Sequence, residues 1–298
     1  MGSYPPPIDP EILPPGAGYL PAPQPVRRRR PPWASAPATY LLLGINCAVF
    51  LAMATHGVGL GTPTTDQLRH WGADNAGSVL AQGEWWRIVT AMFVHVGPLH
   101  LVTNMWCLWN LGLLAEPLLG STGVLAVYIL TGAAGNLLST GVNWWWYNSD
   151  WVKYPAEWAA HHAPGEIFDP TIVFPAGAGA SGAVFGIAGA LIVLLRSNRL
   201  PVPPMELKKL RRSVIYFAAL NLVLGLSISI GTMVAHYGIS IDNMAHLGGF
   251  SCGLLFAAPL VPRFGSPRSV FQERLRIAIA MVAIILVLFG FYLTKFAG

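Results

Sequence analysis

Seven apolar segments, each bounded by polar or proline-rich stretches, follow one another along the chain. A membrane-crossing helix needs about 20 residues, with about 17 to 25 tolerated, and six of the segments have or approach that length. The fourth segment has 15 residues and covers only about 22 Å of a hydrocarbon core about 30 Å thick. We therefore expect an all-α membrane protein whose fourth helix is recessed at one end. The segments are residues 38–55, 98–118, 121–142, 182–196, 213–233, 243–261 and 277–294.

The composition indicates a membrane protein as well. Apolar residues make up 54% of the chain and charged residues 10%, against about 25% in soluble domains, and the mean hydropathy is +0.52. So few charges cannot cover a soluble globule, which excludes a soluble enzyme, a disordered protein and a disulfide scaffold. The three cysteines lie in apolar helical stretches, where they act as small packing residues.

The basic residues are distributed unevenly between the two sides of the membrane. With the N-terminus inside, the inner segments carry 14 lysines and arginines and the outer segments 4, which is the bias described by the positive-inside rule. Residues 1–36 are expected to form a disordered, proline-rich cytoplasmic tail. The tail contains Arg27 to Arg30, and four arginines beside a membrane helix favour anionic lipid headgroups over nucleic acid.

These boundaries predict three regions in a multi-pass protein of the cell membrane. The tail at 1–36 is followed by a six-helix core at 37–262, and residues 263–298 provide a linker and the seventh span. Two long connections on the outer side, 56–97 and 143–178, hold eight of the eleven tryptophans. Since tryptophan prefers the headgroup level, both connections are expected in or on the outer leaflet.

Several polar side chains fall within the apolar segments, where they cost free energy and indicate function. The second, fourth and sixth segments all run from outside to inside, so polar residues at their starts share one depth. Ser181, His246, His100 and Asn104 lie at these outer ends. Glu116 lies at the inner end of the second segment, and we expect it to anchor neighbouring spans.

Ser181 stands in the sequence Gly179-Ala180-Ser181-Gly182 at the start of the short fourth helix. A helix beginning there aims free backbone N–H groups at the hydroxyl, about 8 Å below the outer hydrocarbon boundary. A serine at the floor of a water-filled cavity can act as a nucleophile. Taken alone, however, a Gly-x-Ser-Gly sequence is more often an ordinary helix-packing stretch.

His246 precedes a run of small residues in the sixth segment. The small residues recur every four positions in both the fourth and the sixth segments, which allows two helices to touch closely. Such packing would bring His246 to Ser181, as a nucleophile and its base require. Without a nucleophile beside it, a lone histidine in a membrane helix is more often a hydrogen-bonding link between helices. The small residues are Gly182 and Gly186 in the fourth segment and Gly249, Gly253 and Ala257 in the sixth.

His100 and Asn104 are four residues apart and share one helix face. With the backbone amide of Ser181 they could form an oxyanion hole; the alternative is an interhelical hydrogen-bonding pair. His95, about 140° further round a helix, is expected on another face. Because no carboxylate or cysteine keeps metal-ligand spacing with these histidines, the sequence indicates no metal site and no cofactor.

Asp242 lies four residues before His246 and permits the interpretation of a catalytic triad. An acid at a watery helix N-terminus also suits the helix dipole, and that is the role we expect for Asp242.

These residues resemble the rhomboid family of intramembrane serine proteases over about residues 38–261. The resemblance implies a rhomboid-like bundle of six spans plus a seventh C-terminal span, with a Ser–His dyad and no acid. It rests on Gly179-Ala180-Ser181-Gly182, His100-Leu101-Val102-Thr103-Asn104 and Ala245-His246-Leu247-Gly248-Gly249, together with Trp86-Arg87 in the first outer connection and Glu116 and Leu119-Gly120 at the end of the second segment.

The resemblance also implies a role for each site residue. Ser181 is the nucleophile and His246 the base, while His100, Asn104 and the Ser181 amide form the oxyanion hole. Phe185 is a supporting residue that stacks on the histidine, at a position where the family commonly has a tyrosine. The other supporting residues are Gly179, Ala180, Gly182 and Gly249.

On this interpretation the protein is an endopeptidase that cuts the transmembrane segments of other membrane proteins near their outer ends. The fifth span and the loop at 234–242 would gate and cap substrate entry. One alternative is a catalytically silent rhomboid-like protein that binds membrane clients. A second is a transporter whose polar path is lined by Ser181, His246 and Asn104. The long 143–178 connection departs from the bacterial core form of the family, and the seventh span occurs in a subset of it.

Overall fold

The structure, a computed structural model, describes residues 32–297 apart from 62, 162–173, 198–199, 201, 235–241 and 264–265. Residues 1–31 of the tail predicted at 1–36, and most of the loop at 234–242, therefore lie outside the described residues. The last part of that tail is not disordered as expected, because Pro32–Ser35 is helical. Within the described part, the elements are α1 (Pro32–Ser35), α2 (Pro37–Thr55), α3 (Thr65–His70), β1 (Asp74–Asn75), α4 (Arg87–Thr90), α5 (Pro98–His161), β2 (Ala176–Gly177), α6 (Ser181–Leu194), α7 (Pro204–Val234), α8 (Asn243–Ala257) and α9 (Arg268–Ala297).

Helix α5 consists of two helices joined at Gly120. This glycine has φ 72° and ψ 168°, a backbone conformation that side chains with a Cβ rarely adopt, and it separates residues 98–119 from residues 121–161. These two halves correspond to the second and third apolar segments. The second half continues to His161, well past the expected end at 142, and it includes Pro155. The first part of the 143–178 connection is therefore helical.

The described helices form the predicted all-α membrane bundle. Apolar side chains cover its outer surface, as on α9, where Val287 is 71% exposed and Phe291 is 62% exposed. Helix α7 covers the fifth apolar segment, while the total of seven spans stays a prediction. Among the described residues, the helical stretches long and apolar enough to cross a membrane are Pro37–Thr55, Pro98–Tyr147, Asn243–Val261 and Arg268–Phe296.

Helix α6 lies at the centre of the bundle between α5 and α8. Its 14 residues extend about 21 Å, and most of its side chains are buried. Glycines bring α6 and α8 together. A Cβ on Gly249 would overlap the carbonyl oxygen of Gly182, and one on Gly253 would overlap that of Gly186. The small-residue spacing therefore does mark the contact between these helices.

Glu116, near the end of the first half of α5, anchors that half to the start of α2, as the sequence predicted. Its carboxylate accepts the backbone N–H groups of Ala38 and Thr39 at 2.8 and 2.9 Å, and the Thr39 hydroxyl at 2.6 Å. The Ser121 hydroxyl donates to it at 2.6 Å. A buried carboxylate at a helix N-terminus is stabilised by these donors and by the helix dipole.

The first outer connection folds into a compact unit around Arg87. This side chain is 7% exposed, pairs with Glu84 at 2.6 Å and donates to the carbonyl oxygens of Arg69 and Ala73. The connection also contributes β1, which pairs antiparallel with β2. This two-residue ladder is a small departure from the all-α expectation, and it joins the connection to the segment that leads into α6.

Candidate active site

Ser181 is the first residue of α6, the short central helix. Ala180 precedes it as the N-cap and makes no side-chain cap hydrogen bond. The first N–H groups of any helix lack intrahelical partners, so the backbone here presents donors beside the serine side chain. Strand β2 and a sharp turn at Gly179, with φ 126°, deliver the chain to this position.

His246 lies in the first turn of α8 and reaches Ser181 directly. Its Nε2 is 2.8 Å from Ser181 Oγ, and the histidine is 6% exposed. The glycine contacts between α6 and α8 make this possible, because any side chain at Gly249 would hold the two helices apart. Phe185, one turn after Ser181, stacks on the imidazole with ring centroids 4.3 Å apart and an interplanar angle of 14°.

The other imidazole nitrogen, His246 Nδ1, has no hydrogen-bond partner among the described residues. Asp242 does not occupy that position. Its carboxylate caps α8, accepting the Ala245 N–H at 2.9 Å and the Ser139 hydroxyl at 2.5 Å. The capping role predicted for Asp242 is confirmed. The side chain is half-buried, and its removal from water raises the pKa of Asp242.

His100 and Asn104 approach the turn before Ser181 from α5. A Cβ on Gly179 would lie 2.8 Å from His100 Nε2 and 3.8 Å from Asn104 Nδ2, so both polar edges point at the Gly179 backbone. His100 Nδ1 accepts the Val96 N–H at 3.4 Å, which assigns the ring proton to Nε2. Asn104 Nδ2 donates to the His100 carbonyl at 3.0 Å and keeps a second N–H free.

His95 is a neighbour of this group that the sequence placed on a different face. Its ring is 5.1 Å from that of His100, centroid to centroid, and the residue is 1% exposed. The helical angle was misleading because α5 begins at Pro98, so His95 belongs to the preceding turn. No three histidine, cysteine or acidic side chains of the described residues are grouped to hold a metal ion.

An apolar cavity of about 420 Å³ opens beside His246, between α6, α7 and α8. Its walls include Phe185, Ile215, Leu222 and Phe250. Apolar walls with a polar group such as His246 among them are the usual composition of a binding pocket.

Comparison with known proteins places the chain in a family. Residues 82–263, which include every motif residue named above, match the family model described as the Rhomboid domain. The chain is 31% identical over 247 residues to rhomboid protease GluP of Bacillus subtilis (strain 168), covering 83% of this chain and 38% of that protein. It is 29% identical over 228 residues to rhomboid protease AarA of Providencia stuartii, covering 72% of this chain and 68% of that protein.

A plant relative, RHOMBOID-like protein 7 of Arabidopsis thaliana, is 26% identical over 204 residues, covering 68% of this chain and 52% of that protein. The chain thus spans between about a third and two thirds of the length of these relatives. The family model matches more than half of the chain. The described helices of the chain have the architecture of a multi-pass membrane protein. The chain belongs to the rhomboid family.

Proposed function

We propose that this protein is an intramembrane serine endopeptidase that cleaves transmembrane segments of other membrane proteins. The observation that carries the proposal is the 2.8 Å contact between Ser181 Oγ and His246 Nε2 at the start of α6. Membership of a family that includes rhomboid proteases GluP and AarA supports it. Both members of the dyad are present, whereas a catalytically silent client-binding relative would lack one of them.

The first half of the reaction forms an acyl-enzyme. Ser181 Oγ attacks the scissile carbonyl carbon while His246 Nε2 takes the hydroxyl proton. The carbonyl oxygen becomes an oxyanion next to Gly179, where it accepts hydrogen bonds from His100 Nε2, Asn104 Nδ2 and the Ser181 N–H. His246 then returns the proton to the leaving amine as the peptide bond breaks.

The second half releases the acyl group. Water enters from the outer side, His246 removes its proton, and the hydroxide attacks the ester carbonyl of the acylated Ser181. The same oxyanion donors stabilise the second tetrahedral intermediate, and His246 protonates Ser181 as the ester breaks. Phe185 keeps the imidazole plane fixed through both steps by stacking against it.

The orientation follows from the charges. The 14-to-4 distribution of basic residues favours a cytoplasmic N-terminus, so the dyad opens to the outer face of the cell membrane. Substrates are then cut near the outer ends of their transmembrane segments. The lipid bilayer delivers them laterally, and the reaction requires neither a cofactor nor nucleic acid.

The test is reconstitution of the full chain in proteoliposomes with a single-span model substrate of known orientation. Mass spectrometry of the products should locate one cleaved bond within or next to the outer end of the substrate helix. Cleavage at the opposite end would contradict the proposed orientation, and an intact substrate after prolonged incubation would contradict the protease.

Replacing Asn104 by alanine is expected to lower kcat on the order of 10²-fold, which is the usual loss when one oxyanion-hole donor is removed. The matched control is Asn110→Ala. Asn110 also donates its side-chain amide to a carbonyl four residues earlier on α5, but it is exposed and remote from Ser181. Steady-state cleavage assays should show the loss in Asn104→Ala only; equal rates in the two variants would remove Asn104 from the oxyanion hole.

A further inference from the structure

Two carboxylates outside the proposed dyad lie near each other where the first outer connection meets the start of α8. Asp74, in β1, is 4% exposed, and Asp242 is the N-cap of α8. Both carboxylates face Gly177 of β2: a Cβ on Gly177 would lie 3.5 Å from Asp242 Oδ2 and 3.9 Å from Asp74 Oδ2. Neither carboxylate takes part in the proposed reaction.

Two consecutive hydroxyl groups of α5 hold the pair. Ser139 Oγ donates to Asp242 Oδ2 at 2.5 Å, and Thr140 Oγ1 donates to Asp74 Oδ2 at 2.8 Å. Asn143 Nδ2 in turn donates to Ser139 Oγ at 3.2 Å. A single turn of α5 therefore fixes the first outer connection and the start of α8 at one place.

Short stretches of backbone connect the pair to both members of the dyad. The Asp242 carbonyl accepts the His246 N–H at 3.2 Å, and its carboxylate accepts that of Ala245. Asp74 pairs with Gly177 in the β1–β2 ladder, four residues before Ser181. A force that separates the two carboxylates would therefore displace the start of α8 relative to the start of α6.

We propose that Asp74 and Asp242 are positioning residues that carry a single proton between them, held by Asp74, and that this proton keeps the first turn of α8, with His246, in place for catalysis. The inference rests on the proposed protease function, and it adds a dependence of the dyad on pH.

The charges around the pair decide where the proton lies. Burial raises the pKa of Asp74 to about 7 against the opposing hydrogen bond from Thr140; the Asp242 carboxylate adds to the rise, and the Arg87 guanidinium from α4 opposes it. Arg87 is itself paired with Glu84. Asp242 sits at a helix N-terminus and accepts two hydrogen bonds that favour its charged form, so we assign the proton to Asp74.

The direction of the pH effect follows from linkage. The pKa of Asp74 in the folded protein lies above its value in the unfolded chain, about 3.9, so the folded state binds an additional proton between about pH 4 and pH 7. Its contribution to stability is complete below about pH 4 and is lost as the pH rises through 7. Above that pH the buried anion of Asp74 and the half-buried anion of Asp242 repel each other at the start of α8.

The experiment compares kcat of the wild type and of Asp74→Asn, both in proteoliposomes, between pH 6 and pH 8. Asparagine can still accept the Thr140 hydroxyl but cannot ionise. We expect the ratio of kcat, variant over wild type, to rise about tenfold over this range with KM unchanged, because the ratio cancels the ionisation of the base itself. Asp66→Asn, an exposed carboxylate in the same connection, is the matched control and should give a flat ratio.

Further variants separate positioning from charge. Asp242→Asn keeps a helix cap and removes the second charge, so the ratio of its kcat to that of the wild type should rise with pH in the same way. Asp242→Ala removes the cap and should lower kcat at every pH. Thr140→Val removes a hydrogen bond that favours ionised Asp74, so the loss of activity should move to higher pH.

Thermal unfolding of the detergent-solubilised proteins gives a readout that needs no activity. The Tm of Asp74→Asn should rise relative to that of the wild type from pH 5 to pH 8. A constant kcat ratio together with a constant Tm difference would contradict the proposal that Asp74 and Asp242 carry a single proton between them. A wild type that cleaves nothing at any pH would instead contradict the proposed function. The Tm comparison would still decide whether the Asp74–Asp242 pair carries a proton.

Discussion

Ser181→Ala is expected to abolish cleavage of a model transmembrane substrate, with a loss of at least about 10⁴-fold in kcat. The reason is chemical, since alanine leaves the scissile carbonyl without a nucleophile while His246 and the oxyanion donors stay in place. Serine hydrolases that lose a member of the catalytic unit retain only the residual acceleration from binding and the oxyanion hole. The measurement is a time course of product formation in proteoliposomes.

The control for this substitution is Ser251→Ala. Ser251 lies on α8 and is exposed, so the same loss of a hydroxyl occurs there without touching the dyad. Thermal unfolding should give a Tm for Ser181→Ala close to that of the wild type, because the half-buried hydroxyl supports catalysis rather than packing. Full activity in a folded Ser181→Ala protein would contradict the mechanism in which Ser181 is the nucleophile.

Gly249→Ala is expected to reduce cleavage on the order of 10²-fold or more although it adds a single methyl group. The added Cβ would overlap the carbonyl oxygen of Gly182, and two backbones cannot relax as a flexible side chain can. Helix α8 must then move away from α6 and carry His246 with it. A displacement of about 1 Å in a catalytic group costs on the order of 10²-fold in rate.

The same substitution should also destabilise the protein, by about 1–3 kcal/mol, as overpacking usually does. Gly44→Ala is the matched control. A Cβ on Gly44 in α2 would meet nothing within 4 Å, so alanine there should leave the Tm unchanged or raise it slightly. If Gly249→Ala cleaved substrate as fast as Gly44→Ala, the close α6–α8 contact would not be what aligns the dyad.

The helices and their contacts could be predicted from the sequence because lipid imposes simple rules on a membrane helix. Apolar length indicated the segments, and the short fourth segment corresponds to the 14-residue helix α6. Spacing of glycines by four marked the contact between α6 and α8. The position of Glu116 at an inner helix end, among N–H donors with no intrahelical partner, indicated its anchoring role.

The outer connections could not be predicted in the same way, because contacts distant in sequence determine their structure. The β1–β2 ladder joins residues about a hundred positions apart, and nothing local in Asp74 or Gly177 indicates it. His95 was misplaced because its position depends on where α5 begins. For Asp242, the sequence indicated the cap but not its burial against Ser139, since that contact requires the packing of α5 on α8.

The measurement that tests the central claim most directly is covalent labelling of the full chain in membranes with a fluorophosphonate. Mass spectrometry should find the phosphonyl adduct on the peptide that contains Ser181, and the adduct should be absent in His246→Ala, which keeps the serine but lacks its base. Labelling of Ser181 that persists at the wild-type rate in His246→Ala, or an adduct confined to another serine, would contradict a Ser181–His246 dyad.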